Sequence, residues 1–153
     1  GYISSIKKGF REANGDIIVT LDADGEHDPA FIPKLVEPIK EGEFDVVFGR
    51  RKKIPRFSER VISKMVELKV KIHDSGTGFR ALKREVAKDL ELNGYCTCGI
   101  FVLESYLKKY KMKEVLTPTR KIDKPKNIAW KHFLQFFVVL RLLVKASTKN
   151  LFT

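Results

Sequence analysis

The sequence predicts an α/β fold with a mostly parallel sheet flanked by helices, because short β-branched runs alternate with segments of helical periodicity. Residues 16–21 and 45–49 are compact apolar runs of the kind that form buried strands. Between them, Asp28 and Pro29 are placed to cap and open a helix that Gly42 ends. The 153 residues suffice for one domain with a hydrophobic core.

The remaining elements follow from the same patterns. Residues 3–13 carry apolar side chains at three- and four-residue steps, which predicts a helix that ends at Asn14-Gly15. The two glycines at 76 and 78 predict a tight turn. Further elements are expected as strands at 79–82 and 115–117 and as helices at 58–72, 84–91 and 100–110.

Residues 128–153 form a predicted amphipathic helix, distinct from the domain expected at 1–127. One face carries aromatic and aliphatic residues, and the other carries basic residues, from Trp130 and Lys131 onward. The apolar stretch is shorter than the ~20 residues that a membrane span needs. An aromatic face opposite a basic one is typical of a helix in the membrane interface, and packing on the domain or a partner is the alternative. We therefore expect a cytoplasmic protein that associates peripherally with the membrane.

The charge balance predicts an anionic partner, since 30 Lys and Arg face 19 Asp and Glu for a net charge of +11. A membrane surface and a nucleotide-phosphate substrate account for this charge without nucleic acid. Cys96 and Cys98 are too close for a CxxC redox or zinc pair, and no second pair completes a metal site. We expect both to be reduced, buried and apolar in role.

The acidic turn at 22–26, Asp-Ala-Asp-Gly-Glu, directly follows the first predicted strand. Asp22 and Asp24 can converge on one hard divalent cation there, and Glu26 adds a third oxygen donor. Mg²⁺ or Mn²⁺ held by carboxylates suits a nucleotide diphosphate, whose charge it would neutralise.

Three other interpretations of this turn are open. It is compatible with a solvated loop, because Asp and Gly favour turns. A calcium loop fits poorly, since His27 and Pro33 stand where Gly and Glu are needed. An aspartate-nucleophile phosphatase would use Asp22 as nucleophile and Asp24 as general acid, although no acidic cluster follows residue 90.

Four ordered segments place the turn in a more specific context: 15–29 around the acidic residues, 45–51 (Asp-Val-Val-Phe-Gly-Arg-Arg), 74–82 (Asp-Ser-Gly-Thr-Gly-Phe-Arg-Ala-Leu) and 120–126. Together they resemble the family 2 inverting glycosyltransferases of GT-A fold, across roughly residues 1–130. Within that family the chain is most similar to the dolichyl-phosphate mannosyltransferase and polyprenyl-phosphate glycosyltransferase branch.

The resemblance implies a set of site residues. Asp22 and Asp24 would be the catalytic pair and would hold the metal together with Glu26. Donor binding would fall to Asp22, Ala23, Asp24, Arg51, Arg120 and Lys126. The acceptor phosphate would meet Arg60, Ser63 and Arg80. The sequence departs from the family at Glu26, which is often Gln, at Arg50, which is usually small, and at Asp123 and Pro125 in the closing loop.

The implied reaction moves a hexose, with inversion, from a nucleotide-diphosphate sugar of GDP-mannose or UDP-glucose type to a polyprenyl or dolichyl phosphate. The acceptor is already anionic, so the histidines are expected to be structural or superficial. The family's first strand and its acidic Asp-Asp-Gly-Ser-like motif have no counterpart here. The chain is therefore expected to be part of a catalytic domain, inactive alone, and a non-catalytic basic membrane-binding module remains the alternative.

Overall fold

The computed structural model describes residues 1–120 and 129–149. The chain begins with helix α1 (Tyr2–Glu12), strand β1 (Ile17–Thr20) and, after a single 3₁₀ turn at Pro29–Phe31, helix α2 (Ile32–Lys40). Strand β2 (Val46–Arg51), helix α3 (Phe57–Glu67), strand β3 (Arg80–Lys83) and helix α4 (Arg84–Asp89) follow. The last elements are α5 (Ile100–Leu107), β4 (Met112–Thr117) and α6 (Ala129–Lys149).

Local chemistry explains several of these boundaries. The Asp28 carboxylate accepts a hydrogen bond from the Ala30 amide at 3.0 Å, which confirms Asp28 as the cap of the turn that leads into α2. Gly42 follows α2 with φ +78°, a left-handed conformation that favours glycine.

The four strands form one sheet in the order β1-β3-β2-β4. Strands β1, β2 and β4 run in the same direction, and β3 runs against them between β1 and β2. The expected α/β class is confirmed, but the sheet is mixed, because the turn before β3 returns the chain across the strand ends. Gly78 O accepts from Thr20 Oγ1 at 2.8 Å, and Phe79 O accepts from the Gly49 amide at 2.8 Å. The chain therefore enters β3 from the ends at which β1 and β2 leave the sheet.

The core lies on both faces of this sheet, as the alternation of side chains along a strand requires. On one face, Phe48 packs with Phe101 of α5 and Phe10 of α1. On the other face, Val47 and Ala81 pack against α2.

Helix α6 packs on α3 and α5 through one side, with Val139 and Ala146 fully buried. A second side leaves large apolar residues exposed, namely Trp130, Phe133, Phe137, Leu140 and Val144. Packing on the domain and an outward aromatic surface therefore coexist in this helix. In residues 1–120 and 129–149, no helix is long and apolar enough to cross a membrane.

Candidate active site

The acidic turn lies at the carboxyl end of β1, beside the turn that precedes β3. Asp22 is half-buried, and its carboxylate lies directly over Gly78, where any added Cβ would overlap it. The Tyr2 hydroxyl donates to Asp22 Oδ1 at 3.4 Å. The backbone of Gly78 thus forms a cradle that fixes the position of the first carboxylate.

The second carboxylate of the turn points outward. Asp24 is exposed, and its Oδ1 accepts a hydrogen bond from the Glu26 amide at 3.0 Å. This bond closes a local turn through Gly25, whose φ is +77°. The geometry presents Asp24 to solvent next to the half-buried Asp22, which is the arrangement that a partly hydrated divalent cation needs.

Glu26 is placed differently from the expectation that it joins the metal. Its side chain is buried, with Oε2 3.8 Å from Arg51 Nη1 and 3.8 Å from His27 Nε2. Within the described residues, the ligand atoms of Asp22, Asp24 and Glu26 do not lie within 4.8 Å of one another as a group. The third carboxylate therefore lies beside the buried Arg51 guanidinium, and metal binding by Asp22 and Asp24 stays a prediction.

Arg51, expected at the donor, lies in a buried ion-pair network. Its Nε and Nη2 donate to both Asp74 oxygens at 2.7 and 2.8 Å, and Nη2 also donates to Glu59 at 3.0 Å. Burial alone would lower the pKa of Arg51, but Asp74 first, and then Glu59 and Glu26, raise it above its ordinary value. The guanidinium therefore positions the surrounding loops, and its donors are directed at protein carboxylates.

The two helix residues expected at the acceptor phosphate line one groove. Arg60 is exposed over the Phe57 ring, whereas Ser63 is buried, with its hydroxyl 3.0 Å from Ser75 Oγ. The groove has a volume of about 330 Å³, and its exposed basic rim comprises Lys52, Lys53, Arg60 and Lys64. The structure thus brings Arg60 and Ser63 together, with Ser63 already hydrogen-bonded to the 74–78 turn.

Arg80 lies apart from that groove and is completely buried. Its Nη2 donates to Thr97 Oγ1 at 2.8 Å, and its guanidinium stacks over the Phe101 ring at 4.6 Å. Nε and Nη1 have no hydrogen-bond partner within the described residues. Burial raises the pKa of Tyr2, and the positive charge of Arg80 opposes that rise, so Arg80 acts on the same tyrosine that contacts Asp22. A buried cation with open donors therefore lies behind the acidic turn.

The chain after β4 returns to the acidic turn. The Arg120 amide donates to Glu26 O at 2.8 Å, and Thr119 forms a β-bridge with His27. This pairing places the backbone of Arg120 next to Glu26, and Arg120 itself is exposed, so its role at the donor stays a prediction. Lys126 lies outside the described residues, as do Asp123 and Pro125.

Several residues of the site carried no signal of their role in the sequence. Asp74 begins the 74–78 turn, and its carboxylate binds Arg51, which lies 23 residues earlier in the chain. Thr97 stands between two cysteines, and Tyr2 stands in a helix 20 residues before its partner. Their roles depend on tertiary contacts that no local motif encodes.

A mixed sheet whose first described strand ends in two carboxylates, flanked by helices on both faces, defines the class as a nucleotide-sugar transferase fold of GT-A type. The structure superposes on glucosyl-3-phosphoglycerate synthase from Mycobacterium tuberculosis, solved in complex with Mn²⁺, uridine-diphosphate-glucose and phosphoglyceric acid, with a TM-score of 0.73 at 16% identity. The match covers 93% of this chain and 54% of that one. It establishes the shared fold.

The chain belongs to glycosyl transferase family 2, whose family model matches residues 1–110. It is 37% identical over 130 residues to a dolichol-phosphate mannosyltransferase of Pyrococcus furiosus, which covers 76% of this chain and 36% of that protein. It is 36% identical over 94 residues to an undecaprenyl-phosphate 4-deoxy-4-formamido-L-arabinose transferase of Shewanella sediminis, covering 58% of this chain and 28% of the relative. The chain spans about a third of the length of these relatives.

Proposed function

We propose that this chain contributes the metal and diphosphate half of an inverting glycosyltransferase. The enzyme would move a hexose from a GDP-mannose or UDP-glucose type donor to a polyprenyl or dolichyl phosphate. The observation that carries the proposal is the position of Asp22 and Asp24 just beyond the end of β1, with the Arg120 backbone bonded to Glu26 in the same turn. The names of the relatives support a lipid-phosphate acceptor, and the family favours sugar transfer over the phosphatase alternative.

The chemistry of the acidic turn fits Mg²⁺ or Mn²⁺. Asp22 is held in the Gly78 cradle, and Asp24 offers its carboxylate from the surface, so both are hard oxygen ligands with room for water and phosphate oxygens. When bound, the cation would neutralise charge on the departing diphosphate. Arg120 would add a guanidinium on the same side, where a fork of donors suits phosphate oxygens.

The acceptor phosphate has two candidate sites of different character. The basic groove at Arg60 and Ser63 is open and suits an anion at the surface. Arg80 instead has buried donors without partners among the described residues, and an unpaired buried charge is costly unless an anion compensates it. Because Tyr2 contacts Asp22 and is affected by the charge of Arg80, we propose that the acceptor phosphate first meets the basic groove and then reacts while bound to Arg80.

The exposed aromatic side of α6 favours a position on a membrane surface, so we propose a cytoplasmic, peripherally associated protein. Trp130 and Phe133 stack at 5.8 Å between ring centroids on that side. Amphipathic aromatic residues are suited to the interface between headgroups and acyl chains. A polyprenyl phosphate would present its headgroup at the same interface.

Mn²⁺ binding tests the proposed site and can be measured as the loss of the EPR signal of free Mn²⁺. We expect GDP or UDP to strengthen Mn²⁺ binding, and Asp22→Asn or Asp24→Asn to weaken it at least tenfold. Asp16→Asn is the matched control, because its side chain is 93% exposed and pairs with Arg84 instead. Nucleotide-independent Mn²⁺ binding, or equal losses in the control, would overturn the proposal.

Two further assays separate the alternatives. Equilibrium dialysis of labelled GDP-mannose and UDP-glucose against the chain, with and without Mn²⁺, would show which donor it binds in a metal-dependent way. Hydrolysis of p-nitrophenyl phosphate that is lost in Asp22→Asn would favour the phosphatase. Vesicle flotation without any metal-dependent nucleotide binding would leave the basic membrane-binding module.

A further inference from the structure

A second group of metal-ligating side chains lies where α6 meets the loop before α5. The ligand atoms of Cys96, Cys98 and His132 all lie within 4.8 Å of one another. Cys98 and His132 are buried, Cys96 is half-buried, and both thiols are free. The sequence predicted no metal site here because it offers no second cysteine pair. The fold supplies the third ligand from a residue 34 positions after Cys98.

The spacing of the ligand atoms matches what one tetrahedral ion requires. Zinc-sulfur bonds of about 2.3 Å and zinc-nitrogen bonds of about 2.0 Å put a sulfur and a nitrogen about 3.5 Å apart around a shared ion. Cys98 Sγ and His132 Nε2 are 3.8 Å apart. Cys98 and His132 therefore need to move by only a few tenths of an ångström to share an ion, and the Cys96 sulfur lies within 4.8 Å of both ligand atoms.

The histidine is also held in the orientation that ligation needs. Ser58 Oγ lies 2.7 Å from His132 Nδ1, while Nε2 faces Cys98. When Nδ1 carries the proton and donates it to Ser58, the lone pair of Nε2 points at the thiols. A hydrogen bond from the other ring nitrogen is the usual support of a metal-bound histidine.

The loop at residues 95–98 connects α6 with the candidate active site through hydrogen bonds on both sides. Gln135, one turn after His132, accepts from the Tyr95 and Cys96 amides at 2.9 and 3.2 Å and donates to Cys98 O at 2.9 Å. Thr97, between the two cysteines, holds Arg80. An ion here would fix the loop that orients the buried guanidinium.

We propose that Cys96, Cys98 and His132 form a binding site for one soft or borderline ion of the Zn²⁺ or Cu⁺ class. Two thiolates and an imidazole are the donor set that such ions select, in contrast to the carboxylates of the acidic turn. The two thiolates neutralise a divalent ion, so its burial carries no net charge. This site is separate from the Mg²⁺ or Mn²⁺ site and does not depend on the sugar-transfer proposal.

Cobalt substitution tests the site directly, because thiolate-to-cobalt charge transfer reports sulfur ligands. The chain has two cysteines, so the near-ultraviolet band can come from this pair alone. We expect the charge-transfer band of the reduced, chelator-treated protein to be complete at about one thiolate-bound Co²⁺ per chain, and Zn²⁺ to abolish it. His132→Gln and Cys98→Ser should weaken or abolish the band, and Ser58→Ala should lower metal affinity about 10- to 100-fold while leaving both thiols in place.

His73→Gln is the matched control, because His73 is exposed and bonds to Glu114, and it should retain full cobalt binding. Wild-type protein serves as the decisive sample, since it needs no substitution to fold. Failure of the reduced wild-type protein to give the charge-transfer band, or thiol-reagent rates that are the same with and without Zn²⁺, would overturn the proposal. So would a band that His132→Gln and Ser58→Ala leave unchanged.

Discussion

Arg51 and Arg80 are two buried arginines on neighbouring strands, and they differ in what surrounds their charge. Arg51 donates to Asp74 and Glu59 and lies near Glu26, so its charge is fully compensated by protein carboxylates. Arg80 meets one hydroxyl and one aromatic ring, and no ion pair joins it within the described residues. Both were expected to bind phosphates. The two arginines thus differ in the partners of their charge, which is why we propose a structural role for Arg51 and a ligand-binding role for Arg80.

The largest expected loss of stability comes from breaking the ion pair between Arg51 and Asp74. Asp74→Ala removes three hydrogen bonds from Arg51, counting its backbone amide, and leaves a buried guanidinium short of its main partner. Breaking one side of a buried pair costs about 3–5 kcal/mol of unfolding free energy. Urea denaturation followed by circular dichroism measures it.

Asp89→Ala is the control for that experiment. Asp89 also bonds to two side chains, Lys108 and Tyr110, but at the surface. Its loss should lower the unfolding free energy by only a small fraction of the Asp74 effect. Equal losses in the two variants would contradict the structural role assigned to the Arg51 network.

The next prediction concerns Arg80, which has no ion pair within the described residues. Arg80→Met replaces a buried charge by an apolar chain of similar length, so we expect a much smaller loss of stability than in Asp74→Ala, or a gain. Inorganic phosphate, added without metal at about 100 times its Kd, should stabilise the wild-type protein by about 2.7 kcal/mol, seen as a rise in Tm, and should not stabilise the variant. Differential scanning fluorimetry measures both.

Lys64→Met is the matched control, since Lys64 lines the basic groove, away from the buried site. It should keep most of the stabilisation by inorganic phosphate. A Tm rise that survives in Arg80→Met and disappears in Lys64→Met would place anion binding in the groove and reverse the assignment.

The third expected effect compares two glycines of the 74–78 turn, one beside the Asp22 carboxylate and one beside Arg51. Gly78→Ala puts a methyl group into the Asp22 carboxylate, whereas at Gly76 the nearest atom to an added Cβ is Arg51 Nη2 at an ordinary 3.4 Å. We expect Gly78→Ala to weaken Mn²⁺ binding about tenfold, because the carboxylate must swing aside, and Gly76→Ala to leave it unchanged. Unchanged Mn²⁺ affinity in Gly78→Ala would remove Asp22 from the metal site.

The sequence was sufficient where local chemistry decides the structure. Asp28 caps its helix turn, and the acidic turn follows β1, because capping and turn formation involve residues a few positions apart. The family resemblance was confirmed for the same reason, since its motifs are short and ordered.

The sequence was insufficient where partners are distant in the chain. Asp74 lies 23 residues from Arg51, and Cys98 lies 34 residues from His132. The antiparallel direction of β3 depends on where the 74–78 turn crosses the sheet, which periodicity does not encode. Glu26 is the clearest example. Its place in the acidic turn predicts a metal ligand, but its carboxylate lies beside the buried Arg51, 25 residues away in the chain.

The smallest expected effect uses the titratable group at the edge of the Arg51 network. Burial first, and then the charge of Arg51, lower the pKa of His27 below its ordinary 6.5, although Glu26 opposes the shift. The unfolded chain therefore takes up a proton that the folded protein refuses, so stability is complete above pH 6.5 and falls as the pH drops below it. His27→Phe keeps a ring against Phe79 and removes this proton, so its unfolding free energy should vary less between pH 7.5 and 5.5. Urea denaturation of the wild-type protein and the variant at three pH values measures the difference. If the unfolding free energy of His27→Phe varies with pH as steeply as that of the wild-type protein, burial and the charge of Arg51 do not lower the pKa of His27 as we expect.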